Sequence, residues 1–292
     1  MKQLYLIDAS VYVFRGYFSL PSSMVDSEGN PANAVYGYAN FLAQFLTQNK
    51  AEYVAAAFDK SLTTSFRNEF YPAYKQNRDL PPPELEAQFE SCMAITEAMG
   101  ITKYVDNAYE ADDLIGAVAT KMRPQDFQII ILSSDKDLAQ LLEGEDILWD
   151  YAKDRKLDRE GVREFFGVPP EAIVDYLALL GDKVDNIPGV AGIGKKSASI
   201  LLNELGSLEN IYADLGKVET LKIRGVKRVV ENLKTHRETA FLSQKLAQIA
   251  LDAPAECSED ILSRNAVDQN RLNELCEKLK FGEGIRGRLL SA

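Results

Sequence analysis

The chain has 292 residues, 46% hydrophobic and 26% charged, an ordinary globular profile that excludes disordered, collagenous and membrane-embedded classes. Its net charge of −11 comes with a single histidine, His236, so imidazole acid/base chemistry and His-ligated metals are excluded and carboxylates become the main chemical resource. Cys92, Cys257 and Cys276 form no CxxC pair, which removes a disulfide framework and a thiolate zinc site. No stretch approaches the roughly 18 apolar residues of a membrane span, and Asp8 and Arg15 stand where a signal peptide would be apolar. A cytoplasmic monomer with no membrane partner is expected.

In chain order, short apolar runs predict strands at Gln3–Ile7, Tyr53–Phe58, Gln128–Leu132 and Asp146–Trp149. Helical patterns at Ala34–Gln48, Pro83–Met99 and Asp112–Met122 separate them, which predicts βαβ units around a mostly parallel sheet flanked by helices. The pattern changes after Trp149, and from Asp158 onward it is helical only, at Arg159–Phe166, Pro170–Leu180, Lys195–Leu205, Leu208–Leu215 and Gly225–Gln248. Leu272, Leu275, Leu279 and Phe281 are spaced for an amphipathic helix that packs back on the body. The expected organisation is therefore an α/β domain over 1–170, a helical region over 171–250 and a returning segment over 251–292. Ser61–Pro83 is a long connection mixing aromatics with bases, a length more often functional than idle.

The acids fall where chemistry would need them. Asp8 follows the first strand, Asp59 the second, and Asp135 with Asp137 the third, so in a parallel sheet they share one edge. Glu110, Asp112 and Asp113 open a helix, and Asp182 and Asp185 begin the helical part. Singly, each has an ordinary explanation as a cap or turn residue. Together they would be a standing cost unless a cation neutralises them. Oxygen-only donors point to Mg²⁺ or Mn²⁺, and two such ions roughly 4 Å apart suit phosphoester cleavage by a nuclease or a phosphatase.

The turn Gly189-Val190-Ala191-Gly192-Ile193-Gly194-Lys195-Lys196-Ser197 fails as a Walker A loop, because Lys196 stands where Ser or Thr is needed and no strand precedes it. It also fails the dinucleotide fingerprint, because Ser197 stands in place of the last glycine. A helix–hairpin–helix turn that holds a phosphate through backbone N–H groups remains. From Asn186 to Arg237 nine basic residues face five acidic ones inside an acidic chain, a docking surface for a polyanion. Arg67, Tyr71, Tyr74, Lys75 and Arg78 interleave bases with aromatics as a single-strand contact would.

With these residues in order, the chain resembles the 5′ nuclease, or flap endonuclease, family, in the form of the 5′–3′ exonuclease domain that opens bacterial DNA polymerase I. The resemblance rests on Leu6-Ile7-Asp8-Ala9-Ser10 with Arg15-Gly16-Tyr17, and on Phe58-Asp59, Phe66-Arg67 and Tyr74-Lys75-Gln76-Asn77-Arg78. Glu110-Ala111-Asp112-Asp113-Leu114, Ser134-Asp135-Lys136-Asp137 and Gly181-Asp182-Lys183-Val184-Asp185-Asn186-Ile187-Pro188-Gly189 complete it. It implies a PIN-like fold with Asp8, Asp59, Glu110, Asp112 and Asp113 around one metal and Asp135, Asp137, Asp182 and Asp185 around the other. It further implies Lys75 and Arg78 facing the scissile phosphate from a helical arch over 61–90, Tyr74 stacked on a base, and Arg15 on DNA. Gly189, Gly192, Gly194, Lys195 and Lys196 would grip duplex phosphates, with K⁺ on the turn's carbonyls. The implied activity is Mg²⁺-dependent, structure-selective 5′–3′ exonuclease or flap endonuclease cleavage in replication and repair, on DNA with a 5′ flap or 5′ end and on RNA–DNA primers. With no polymerase region following, a free-standing nuclease is expected. Two other readings stay open: a catalytically weak binder of DNA junctions and a PIN-type ribonuclease.

Overall fold

The computed structural model describes residues 1–60, 64–78 and 80–292. The chain forms two compact units, one of Met1–Lys60, Asp79–Ser134 and Ala250–Ala292, the other of Ser61–Arg78 and Asp135–Ile249. Among the described residues no helix is long and apolar enough to cross a membrane.

The first unit is built on four parallel strands, β1 (Lys2–Asp8), β2 (Tyr53–Asp59), β3 (Thr102–Asp106) and β4 (Phe127–Leu132), in the order β3-β2-β1-β4. Central β1 buries Leu4, Leu6 and Ile7, as a strand covered on both faces must. β3 was not expected: Thr102-Lys103-Tyr104-Val105-Asp106 is half-buried throughout and carries no apolar run. The register sets Asp8 beside Ala57 and Asp59 beside Asp106, so acids stand at the carboxyl ends of neighbouring strands.

A helix the sequence did not predict, Ala9–Ser19, begins at the residue after β1. Its Val11, Tyr12, Val13 and Phe14 are poor helix formers, yet Ala9, Tyr12, Val13 and Gly16 bury one face, and that burial outweighs propensity. The face packs on the helix Asn33–Asn49, where Tyr12 stacks on Phe41 at 3.7 Å between ring centroids. The two backbones nearly touch: a Cβ on Gly37 would lie 2.6 Å from the Gly16 Cα. The helix Pro83–Ala98 joins this layer through Gln88, whose Oε1 accepts from the Ala34 N–H at 2.8 Å.

Residues 250–292 belong to this unit. Arg264 N–H donates to the Glu52 carbonyl and Asn265 N–H to the Gly100 carbonyl, while Leu272, Phe281 and Leu289 are buried.

In the second unit β5 (Ile147–Asp150) and β6 (Arg155–Leu157) form an antiparallel hairpin. The α-helices of its portion after β6 are Arg159–Phe166, Ile173–Leu180, Lys195–Leu205, Leu208–Ala213, Leu215–Glu219, Val226–Thr235 and Arg237–Ala247. The last two replace the single helix expected over 225–248; the chain breaks at His236, whose φ of −107° and ψ of 24° are not helical. Parallel pairing in the first unit and this hairpin in the second give the mostly parallel α/β fold with a helical region.

The segment 61–90, expected as a helical arch, is α-helical from Pro83 onward, where the helix Pro83–Ala98 begins. Of the described residues between 64 and 82, only Arg67–Phe70 are α-helical, and 72–77 run as turns. Pro72 and Pro81-Pro82-Pro83 disfavour helix in the residues before them. Ser61–Thr63 and Asp79, also within that segment, lie outside the described residues.

Replacing Gly37 by Ala brings a helix-propensity gain of about 1 kcal/mol but overpacks the Gly16 contact at a cost of about 1–3 kcal/mol. A net loss of stability is expected, read as a lower urea midpoint at unchanged slope.

Candidate functional site

The expected acids divide five and four between the two units. In the first unit Asp8 is buried and its Oδ2 accepts from the Ser133 hydroxyl at 2.6 Å. The Asp59 N–H donates to Ser10 Oγ, and its Oδ1 accepts from the Ala111 N–H at 2.9 Å, at the start of the helix Ala111–Met122. Glu110 caps that helix reciprocally with Asp113: its side chain accepts from the Asp113 N–H, and Asp113 Oδ2 accepts from the Glu110 N–H at 3.1 Å. Fully buried Asp113 also accepts from the Ala250 N–H through Oδ1 at 2.8 Å, tying the start of the returning segment to this helix. Asp112 is half-buried beside it.

In the second unit the other four acids come from two loops. Asp135 Oδ1 accepts from the Asp137 N–H at 2.9 Å. Asp182 and Ile187 exchange backbone hydrogen bonds of 2.9 and 2.7 Å, and Asp182 Oδ1 accepts from the Val184 N–H at 2.6 Å, so the loop brings Asp182 and Asp185 together. Burial, and then the charges of Asp135, Asp182 and Asp185, push the Asp137 carboxyl up to about 8. Burial raises Asp135 as well, and the charge of Asp185 adds to it. Asp137 Oδ1 is buried without a hydrogen-bond partner among the described residues.

Basic groups stand against this set. The Arg78 guanidinium pairs with Asp185 Oδ1, and Lys75 Nζ lies 3.8 Å from Asp185 Oδ2, which also accepts from the Tyr74 hydroxyl at 3.4 Å. Lys136 Nζ lies 3.9 Å from Asp182 Oδ2. The segment bearing Lys75 and Arg78 is laced to the acid loop: Lys75 N–H donates to the Asp185 carbonyl, Asn77 Nδ2 to the Lys183 carbonyl and Asn186 Nδ2 to the Ala73 carbonyl. Lys75 itself has a φ of +54°, in the left-handed region.

Three observations bear on the expected site residues. Among the described residues no three His, Cys, Asp or Glu side chains form a ready-made metal cage. The acids instead spend oxygens on backbone N–H groups, on Ser133 and on the bases just named. Tyr74, expected to stack on a base, is buried, with Arg67 and Lys75 at 5.8 and 5.0 Å from its ring centroid. Arg67 is buried too, and its guanidinium donates to the Leu246 and Gln248 carbonyls, so it closes a helix end. Gly189, expected to meet DNA, is also buried: its N–H donates to Ser243 Oγ, and a Cβ there would lie 2.3 Å from the Gly181 nitrogen. Gly192, Gly194, Lys195 and Lys196 are exposed at the start of the helix Lys195–Leu205, and Arg15 is exposed on Ala9–Ser19. Sequence reasoning passed over Ser10, Ser133 and Lys136, whose one signal is position within a few residues of a strand-end acid.

The first unit is thus a parallel α/β sheet with acids at its carboxyl edge, and the second is a largely helical unit with a glycine turn. The family model "5'-3' exonuclease, N-terminal resolvase-like domain" matches residues 3–167, and "5'-3' exonuclease, C-terminal SAM fold" matches 168–270. The chain belongs to the 5′–3′ exonuclease family. It is 34% identical over 283 residues to a 5′–3′ exonuclease of Buchnera aphidicola subsp. Schizaphis graminum, covering 97% of this chain and 98% of that one. It is also 40% identical over 279 residues to the DNA polymerase I of Pseudomonas aeruginosa, covering 95% of this chain and 30% of that one, so it spans about a third of such relatives. Its fold is that of the T5 D15 protein co-crystallised with metal ions, with a TM-score of 0.65 at 19% identity over 99% of this chain and 97% of that one. The catalytic core of Rad2 in complex with DNA substrate gives a TM-score of 0.65 at 15% identity over 99% and 91%.

Because the Asp137 carboxyl is raised in the folded chain, the folded state holds more protons than the unfolded one between pH 4 and 8, and this group's contribution to stability falls as pH rises through that window. In metal-free buffer, Asp137→Asn is therefore expected to gain melting temperature over the unsubstituted chain as pH goes from 5 to 8.5. A difference that stays constant with pH would contradict the raised carboxyl.

Proposed function

We propose that this chain is a divalent-metal-dependent nuclease that hydrolyses phosphodiesters of DNA at a 5′ flap or 5′ end, RNA–DNA primers included. The observation that carries the reading is the gathering of Asp135, Asp137, Asp182 and Asp185 in one unit, with Asp137 Oδ1 buried and lacking a hydrogen-bond partner among the described residues. An oxygen-only donor set of this kind fits Mg²⁺ or Mn²⁺, and a buried carboxylate oxygen is a donor that a cation would satisfy. Asp135, Asp137, Asp182 and Asp185 would hold one ion, and Asp8, Asp59, Glu110, Asp112 and Asp113 would serve the other. Bound there, the metals supply Lewis-acid stabilisation of the phosphate and a water acidic enough to act as nucleophile.

The chain's own residues do the rest. Lys75 and Arg78 supply fixed positive charge for the phosphate on which charge accumulates in the transition state. Ser133 and Ser10 orient Asp8 and the end of β2, and the Glu110–Asp113 box fixes the start of the acidic helix. Exposed Lys195 and Lys196, with the helix start behind Gly194, suit duplex phosphates, and Arg15 suits a further one. The carbonyls of the same turn would take K⁺.

Digestion of a 5′-flapped duplex with Mg²⁺, beside blunt duplex and single-stranded RNA, tests the substrate class: release of the flap is expected, and preferential digestion of the RNA would favour a ribonuclease instead. Asp182→Asn is expected to lower flap cleavage by about 10²- to 10⁴-fold. Neutralising Lys195 and Lys196 together is expected to reduce the slope of log affinity against log salt for duplex DNA by about 2. An unchanged slope would remove these lysines from the interface.

A further inference from the structure

The residues assigned to the phosphate and those assigned to a metal are bonded to each other. Asp185 is held by Arg78, Lys75 and Tyr74 together, and its side chain is only 17% exposed. The segment that carries both cations is tied to the acid loop, because Lys75 N–H, Asn77 and Asn186 bond across the two segments to backbone carbonyls. A carboxylate so engaged has its negative charge already compensated, and a second cation that takes the same oxygens must displace the first. Lys136 stands in the same relation to Asp182 at 3.9 Å, from a more exposed position.

Resting on the functional reading above, we propose that Arg78 and Lys75 are tethered counter-cations of Asp185, and that a divalent ion binding at this acid loop displaces them, releasing both for the phosphate. The two segments thereby form a built-in sequence of events. While no metal is bound, the bases neutralise the acid loop and hold it in shape. Once a metal takes Asp185, their charge is freed at the place where the substrate's phosphate arrives. Metal affinity is accordingly set below what the carboxylates alone would give, because part of the binding free energy is spent on breaking the ion pairs.

The test is Mn²⁺ binding to the full chain without DNA, followed by the electron paramagnetic resonance signal of the free ion, with thermal unfolding in chelator alongside. Arg78→Gln is expected to tighten Mn²⁺ binding by about three- to tenfold and to lower the melting temperature in chelator. Arg78→Lys, which keeps the charge, is expected to stay near the unsubstituted chain. Lys75→Asn provides a second variant that suits the left-handed backbone and retains the main-chain bond to Asp185. It too is expected to tighten binding. Unchanged or weakened Mn²⁺ affinity in both neutral variants, with Asp182→Asn still weakening it, would overturn the counter-cation role alone. Absence of any Mn²⁺ binding that Asp182→Asn weakens would overturn the metal-site reading and this inference with it.

Discussion

A carboxylate that loses its water must gain another partner, and much of this molecule's site is arranged around that requirement. The central strands are buried on both faces, so the acids at their carboxyl ends sit at the boundary of an apolar core. In the first unit Asp8 takes a hydroxyl, and Asp59 and Asp113 take backbone N–H groups; in the second, Asp185 takes two basic side chains. In the second unit Asp137 keeps a buried oxygen without a hydrogen-bond partner among the described residues, and burial, then the neighbouring carboxylates, hold its carboxyl toward the protonated form. Each arrangement lowers the cost of burying charge in a different way.

The same constraint ties stability to chemistry. Asp113 is at once part of a helix cap and the acceptor for the Ala250 N–H, so it helps anchor residues 250–292 to the first unit. Arg67 closes the end of the helix Arg237–Ala247 and packs against Tyr74, which in turn reaches Asp185. Residues that look like reagents in the sequence are therefore also structural members. A substitution among them alters folding and reactivity together, and measurements that separate the two are more informative than activity alone.

Periodicity made most elements legible. β1, β2 and β4 are apolar runs long enough to be read directly, and Asp112–Met122 carries its own acidic start. The elements that escaped had weak local signals: β3 has only Tyr104 and Val105 between polar residues and is half-buried throughout, and Ala9–Ser19 is rich in β-branched and aromatic side chains. The expected helix over 225–248 failed in the opposite sense, because a continuous pattern conceals a break that a single residue, His236, introduces. Gly189 was read as a turn residue, and its close approach to Gly181, which requires glycine there, was not legible in the sequence.

What the sequence determined by itself was chemical inventory and order: carboxylates at strand ends, no imidazole pair, a glycine turn followed by lysines, and hence the family. Inventory is local and survives in one dimension. Tertiary structure alone decided which charge meets which, since Arg78 and Asp185 are 107 residues apart and nothing in either segment names the other. It also decided that Tyr74 and Arg67 are buried while Lys195 and Lys196 are exposed, because burial depends on what the rest of the chain packs against a side chain. Electrostatic and solvation energies depend on distance through space, and separation along the chain does not fix that distance.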